Sequence, residues 1–383
     1  MRTDPTLHYL DNAATTMVDP AVAEVIHDAM LRHWANPSSL YPPGAESEAA
    51  LSRARAALAR TLGCKSREFY FTSCGSEGNN LALLGTARTR TFGKKILCSG
   101  FEHPSVRRPL EALADAGWQV EFLPPAADGS FDVAQLLDRV DRSTVLMACM
   151  MVNNETGARC DVERLAREVK RLNSRTVVHV DGVQAWMRLP VRLEGSGIDS
   201  FTVSGHKIHA PKGVGGLYLN DKLAQSFRPP YLGGEQERGL RPGTENLPYA
   251  LGLAAAAQKL APGLTERTAR IRALNERLRA GLAAFPTVEL NSPADAVPEI
   301  LNFSENKVRS ETMLAWLAGA KVYVSSASAC GRGEPSHTLQ AMRRPPKAVD
   351  TAIRVSFCAD NTEEDVDAFL ERFEAGMKQL QGV

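Results

Sequence analysis

Phe201-Thr202-Val203-Ser204-Gly205-His206-Lys207 is the stretch that decides how this chain is read. Three residues suited to a buried strand run straight into a small polar cluster that ends on a lysine. The chain continues through Pro211-Lys212-Gly213-Val214-Gly215-Gly216 into a second apolar run at 216–219. A strand that stops abruptly in polar residues and glycine opens onto a crevice, and open α/β sheets bind ligands at such strand ends. Outward from this segment the same pattern recurs at 69–72, 95–98, 145–148 and 177–180. Most of these runs are continuously apolar rather than alternating, which predicts strands covered on both faces. Segments with a 3.6-residue apolar period lie between them, at 20–34, 45–62, 76–89, 133–140 and 162–172. Asp19-Pro20 is a helix cap followed by a first-turn proline. Alternating strands and helices predict an α/β domain with a largely parallel sheet.

The pattern changes at Pro262-Gly263. A long charged helix is expected at 265–284, strands at 299–303, 321–325 and 353–357, a short helix at 311–318 and a last helix at 362–380. The expected division is a large domain over 15–262 and a smaller α+β domain from 1–14 with 263–383. The chain's 383 residues suit such a two-part organisation. With 45 basic and 44 acidic residues, the formal charge of +1 argues against direct nucleic-acid binding. The first 30 residues hold five acidic groups and no apolar run, so neither a leader peptide nor a membrane segment is expected there. Seven scattered cysteines without a CxxC pair argue against a disulfide framework or a zinc site and for a reducing cytoplasm; no metal is expected.

Several residues at strand ends carry chemistry. Lys207 in a crevice is partly desolvated, which frees its amine for Schiff-base formation; the plain alternative is an exposed loop lysine. Asp181 follows the apolar run 177–180 and is suited to pair with a protonated pyridine nitrogen, or to cap a helix. Gln184, three residues on, can donate to a phenolic oxygen. Thr72-Ser-Cys-Gly-Ser76 joins a strand to a helix start, a natural phosphate cradle, with Gly75 and Ser76 at its centre. Ser204 and His206 can donate to the same phosphate. His103, in Phe101-Glu-His-Pro104, can stack on a flat ring and move protons; a structural imidazole is the alternative. Asn153-Asn-Glu155 follows the run 145–152. Arg354, inside an apolar strand pattern, matches a carboxylate bidentately or forms a structural ion pair. Cys330 precedes Gly331-Arg-Gly-Glu-Pro335, a flexible run that suits a residue which must move. Cys64, Cys98, Cys149 and Cys358 lie in or beside apolar runs and are read as small core residues.

Together these residues resemble the cysteine desulfurases of the NifS/IscS kind, fold-type I pyridoxal-phosphate enzymes related to class-V aminotransferases. The likeness is carried, nearly end to end, by Tyr9-Leu-Asp-Asn-Ala-Ala-Thr-Thr16, Asn36-Pro-Ser-Ser39, Asn153-Asn-Glu155, Ser204-Gly-His-Lys207, Arg241-Pro-Gly-Thr244 and Ser328-Ala-Cys330. The resemblance implies a fold-type I transferase whose mainly parallel, helix-flanked sheet is joined by a smaller C-terminal α+β domain. It implies that pyridoxal 5'-phosphate is bound covalently by Lys207, with Asp181 on its pyridinium, Gln184 on its phenolate and His103 stacked on its ring as acid and base. Gly75, Ser76, Ser204 and His206 become phosphate ligands, and Thr244 a further one supplied across a homodimer interface. Asn154 lies at the cofactor and, with Arg354, holds the carboxylate of L-cysteine. Cys330 becomes the nucleophile that carries a persulfide while L-alanine leaves. The implied acceptor is a protein, either an iron–sulfur scaffold, in iron–sulfur cluster assembly, or a tRNA-thiolation enzyme. A selenocysteine lyase or a class-V aminotransferase on the same fold is the alternative, and a non-catalytic scaffold in a sulfur relay is a third. The sequence departs from the family's pattern at Cys74 and Ala327, where Gly is usual, at Ser76, where Thr is commoner, and at Arg159-Cys160, where Gln-Pro is frequent. The Cys330 loop is about two residues shorter than in the iron–sulfur-assembly members and longer than in the rigid-loop group.

Overall fold

The continuous apolar runs become the inner strands of a seven-stranded sheet. The computed structural model describes residues 4, 6–126, 128–326 and 335–380. In chain order the first part contains β1 (His8–Tyr9), α1 (Pro20–Arg32), α2 (Pro42–Leu62), β2 (Phe69–Thr72), α3 (Gly75–Thr89), β3 (Lys95–Ser99), α4 (Pro104–Asp115), β4 (Gln119–Leu123), α5 (Val133–Asp138) and β5 (Thr144–Met150). Then come α6 (Val162–Leu172), β6 (Val177–Asp181), β7 (Ser200–Ser204), β8 (Gly215–Leu219), α7 (Asp221–Ala224) and α8 (Leu247–Leu260). The sheet order is β2-β8-β7-β6-β5-β3-β4, and only β8 runs against its neighbours. Strands β2, β3, β5, β6 and β7 therefore all end at one edge. Side chains from both faces of the sheet are buried, with Leu97, Met147, Val178 and Phe201 in one cluster and Ile96, Leu146, Val177 and Leu217 in another. This two-sided burial is why the strands read as unbroken apolar runs.

The remainder comprises α9 (Leu264–Leu282), β9 (Glu289–Leu290), β10 (Ile300–Ser304), α10 (Ser310–Ala318), β11 (Val322–Tyr323), β12 (Ser325–Ser326), α11 (His337–Ala341), α12 (Pro346–Asp350), β13 (Ala352–Ser356) and α13 (Glu363–Gln379). Here the sheet is antiparallel, in the order β12-β13-β10-β9. Its core is a separate cluster in which Phe303, Phe369 and Phe373 pack at ring-centroid distances of 5.6 to 6.4 Å. Leu10 belongs to this cluster, and β1 pairs in parallel with β11, so the start of the chain packs on its end. Helix α13 begins with a capping box in which Thr362 and Asp365 satisfy each other's backbone N–H groups.

Several elements differ from the sequence expectation, and three bear on the architecture. The expected strand at 321–325 is two short strands in different sheets, split at Val324. The edge strand β4 is half-exposed and lacks a continuous apolar run. Helix α8 is rich in alanine and buried around much of its circumference, so it shows little amphipathic contrast.

Candidate active site

A cavity of about 850 Å3 opens at the edge where the parallel strands end. Each strand delivers one part of its wall. From β7 come Ser204, His206 and Lys207; from β6, Asp181, Val183 and Gln184; from β5, Met150, Val152, Asn154 and Glu155. The end of β3 supplies Glu102 and His103, and the end of β2 leads into Gly75 and Ser76 at the start of α3. Arg354, from the antiparallel sheet, and His337 and Thr338, from α11, close the opposite side.

The amine of Lys207 donates to the backbone carbonyls of Ala13 and, at 2.7 Å, Ala14. The N-terminal segment thus holds the amine in place. Gln184 is oriented by the same segment: its Nε2 donates to Ala13 O at 2.9 Å while its Oε1 accepts from Arg188. That leaves a second Nε2 hydrogen as a donor.

Asp181 takes one N–H on each oxygen, Val183 N–H on Oδ1 at 2.9 Å and Asn79 Nδ2 on Oδ2 at 2.8 Å. Asn79 is fully buried and shares itself among several partners. Its Nδ2 also donates to Ser105 Oγ at 2.9 Å, and its Oδ1 lies 3.1 Å from His179 Nε2. His179 Nδ1 in turn lies 2.9 Å from Ser200 Oγ. Burial pushes the His179 ring down to about 3, so it stays neutral and donates through Nε2.

His103 caps α4, with its Nδ1 accepting from Ser105 N–H at 3.1 Å and lying 2.8 Å from Ser105 Oγ. Burial, and then the Lys207 charge, hold this imidazole below its ordinary value against the opposing pull of Asp181. With Nδ1 accepting, the neutral ring carries its proton on Nε2. One network therefore runs from His103 through Ser105 and Asn79 to Asp181.

The opposite wall carries a buried arginine and a glutamate. Arg354 is 1% exposed; its Nη2 donates to Asp11 at 2.7 Å and its Nη1 to Asn154 O at 2.9 Å. Its Nε is buried and has no partner among the described residues. Both sequence readings of this arginine have an observation behind them, since it is ion-paired and also lines the cavity. Glu155 reaches across to α11, accepting from Ser336 Oγ at 2.5 Å and Thr338 Oγ1 at 2.9 Å.

The residues present suit a flat, phosphorylated cofactor. Ser204 Oγ is buried without a partner among the described residues, although a buried hydroxyl costs free energy unless it is satisfied. It lies beside Gly75, where a Cβ would sit 2.7 Å from Val183 Cγ2 and 3.4 Å from Ser204 Cβ. No side chain caps the start of α3, so its N–H groups and the Ser204 hydroxyl together offer donors to a phosphate. His206 is pushed down to about 4 by burial and then by Lys207, and so offers a neutral ring. Of the sequence candidates, Thr244 is exposed and does not line the cavity of its own chain. Cys330 and Ala327 lie outside the described residues. Sequence reading gave no role to Asn79, Ser105, His179, Glu102 or the Ala13 and Ala14 carbonyls. The one available signal was His179, a polar residue inside an otherwise apolar strand.

A lysine amine, a doubly hydrogen-bonded carboxylate and an imidazole around one strand-end cavity define an α/β enzyme whose site centres on a lysine. Residues 8–369 match the aminotransferase class-V family. The chain is 37% identical over 367 residues to a cysteine desulfurase of Nostoc sp. strain PCC 7120, covering 95% of this chain and 91% of that protein. Among solved structures, a NifS-like protein superposes with a TM-score of 0.91 at 35% identity, covering 97% of this chain and 99% of that one. SspA, solved in complex with cysteine, superposes with a TM-score of 0.81 at 27% identity, over 92% of this chain and 99% of that one. The chain belongs to the aminotransferase class-V family and, within it, to the cysteine desulfurases.

Proposed function

We propose that the cavity binds pyridoxal 5'-phosphate and that the enzyme takes sulfur from L-cysteine, releasing L-alanine and leaving a persulfide on Cys330. The observation that carries this reading is the convergence of Lys207, Asp181, His103 and Arg354 on one cavity. When bound, the cofactor supplies an electron sink that weakens bonds next to the substrate's amino-bearing carbon. Lys207 is the attachment point, and its amine is already gathered by two carbonyls. Asp181 partners the ring nitrogen, Gln184 the phenolic oxygen, and Gly75, Ser76, Ser204 and His206 the phosphate. Arg354 and Asn154 orient the substrate carboxylate, with the spare Nε of Arg354 as a donor. His103 holds and moves a proton at Nε2. The Cys330 thiol attacks the substrate sulfur as a thiolate.

The same reading assigns residues 15–262 to the cofactor-binding domain, and 1–14 with 263–383 to the small domain. Its support is the separate core formed by residues 271–377, which Leu10 joins. A homodimer completes the site by bringing in Thr244 of a second copy. The exposed Met30, Leu31, Trp34, Leu40, Tyr41 and Leu232 supply apolar surface for such an interface. The sulfur acceptor is a protein, an iron–sulfur scaffold or a tRNA-thiolation enzyme. No helix among the described residues is long and apolar enough to cross a membrane. The proposed location is the cytoplasm, whose reducing poise preserves the thiol that the reaction needs.

The test is Cys330→Ala. The variant is expected to bind the cofactor normally and to form no persulfide from L-cysteine. Alanine and sulfide release at the unsubstituted rate would overturn the assignment of Cys330.

A further inference from the structure

Cys149 stands one residue before the end of β5, and Cys160 two residues before α6. The chain between them leaves the sheet edge, turns at Gly157 with φ +73°, and comes back along itself. Asn153 N–H donates to Ala158 O at 2.9 Å, Cys160 N–H donates to Met151 O at 3.0 Å, and Val152 bridges Arg159 antiparallel. These bonds bring the two sulfurs to 3.4 Å from each other. Both residues are buried, at 1% and 5% exposure. The loop they close carries Val152, Asn154 and Glu155 into the cavity wall, and Arg354 is hydrogen-bonded to its backbone.

A single buried cysteine is an inert small hydrophobe. Two in contact at the base of a loop form a pair that oxidation can join. We propose that Cys149 and Cys160 are a modification site, forming a reversible disulfide that staples the substrate-side loop when the protein meets a peroxide. The balance is simple: two S–H bonds and the peroxide O–O bond break, one S–S bond and two waters form, and the two electrons pass from sulfur to oxygen. The sulfurs must close to ~2.05 Å, a movement the two side chains share. Burial pushes the Cys149 thiol well above its ordinary value, so the joining is slow at neutral pH and faster in mild alkali. Transient bonds of this kind are the ones expected of a reducing compartment.

The full-length enzyme is treated with hydrogen peroxide at a dose that oxidises the half-buried thiols of Cys64, Cys74 and Cys358, then alkylated under denaturing conditions and digested without reductant. The expected result is a peptide pair joined through Cys149 and Cys160, lost on adding dithiothreitol and absent from Cys160→Ala. Backbone amides of residues 150–159 should exchange with deuterium more slowly in the joined form. Recovery of Cys149 and Cys160 as separately alkylated thiols, or joined to other cysteines instead of each other, would overturn the proposal. The wild-type peptide map stands whether or not the variant folds.

Discussion

The ends of β6 and β3 face the same cavity, with β5 between them, and they treat a carboxyl group in opposite ways. At the end of β6, Asp181 receives one N–H on each oxygen. Just past the end of β3, Glu102 has both of its donors on a single oxygen: Ser99 Oγ and, at 2.7 Å, Met150 N–H both reach Oε1. Its Oε2 is buried with no partner among the described residues. Burial, with the Asp181 charge as a smaller contribution, pushes Glu102 up to about 8. Both groups are about 95% buried, and they differ in how their donors are placed. Donors reaching a carboxyl group favour its charged form and burial favours its protonated form, and at Glu102 burial prevails. One wall therefore carries a carboxyl group with a donor on each oxygen, while its neighbour holds its proton up to about 8.

Breaking the β6 side should have the largest effect. Asp181→Asn keeps the shape but removes the negative charge; turnover of L-cysteine should fall by roughly 10²–10⁴-fold, on the scale of a lost electrostatic partner at a reacting centre. Measured kcat within about threefold of the parent would mean that Asp181 is only a structural acceptor. Asn79→Ala is the next step down. It leaves one Asp181 oxygen and the Ser105 hydroxyl without that amide, at a cost to stability of about 1–3 kcal/mol for the buried groups left unpaired. It should also move the pH profile of kcat, because His103 is tied to the same network through Ser105. A profile that keeps its shape would separate His103 from Asp181.

The β3 side should answer differently. Glu102→Gln keeps a neutral side chain of the same size, and turnover near pH 7 should stay within about threefold of the parent. Its signature lies in stability. The folded protein holds the Glu102 proton up to about 8, whereas an unfolded glutamate releases it near ~4.3. Between those values the folded state binds the extra proton, so this group's contribution to stability is full at low pH and declines as pH rises. The decline is at most ~1.4 kcal/mol per pH unit and is complete above the folded value. Urea midpoints measured at pH 5 and pH 8 should therefore fall less for Glu102→Gln than for the parent. Equal falls would place the charge of Glu102 elsewhere.

The same contrast explains what was legible in the sequence. Strand ends could be found because parallel strands buried on both faces are unbroken apolar runs, so Asp181, Ser204 and Lys207 each stood at a visible boundary. The small sheet was legible in outline, although Val324 splits one expected strand in two. Helix α4 was expected only as an unbounded helix start after His103, because Pro109 interrupts a segment that also carries Arg107 and Arg108. The hydrogen-bond network was invisible for a different reason. Asn79 meets Asp181 across 102 positions and His179 across 100, and no local pattern encodes such partners. Asp181 itself illustrates both sides. Its position was readable, and the helix cap that seemed its rival is ruled out because the residues that follow, 183–185, form a turn and not a helix. The neutral state of Glu102 comes from its burial, against the pull of Met150 N–H, and both depend on how the end of β3 packs beside β5.

The central claim is that Lys207, Asp181 and His103 surround one planar cofactor. It is tested most directly by loading the purified protein with pyridoxal 5'-phosphate, reducing it with borohydride and mapping the modified peptide. The account predicts a stoichiometric label on Lys207, strongly reduced in Asp181→Asn and retained in Glu102→Gln. A label on another lysine, or none at saturating cofactor, would contradict it.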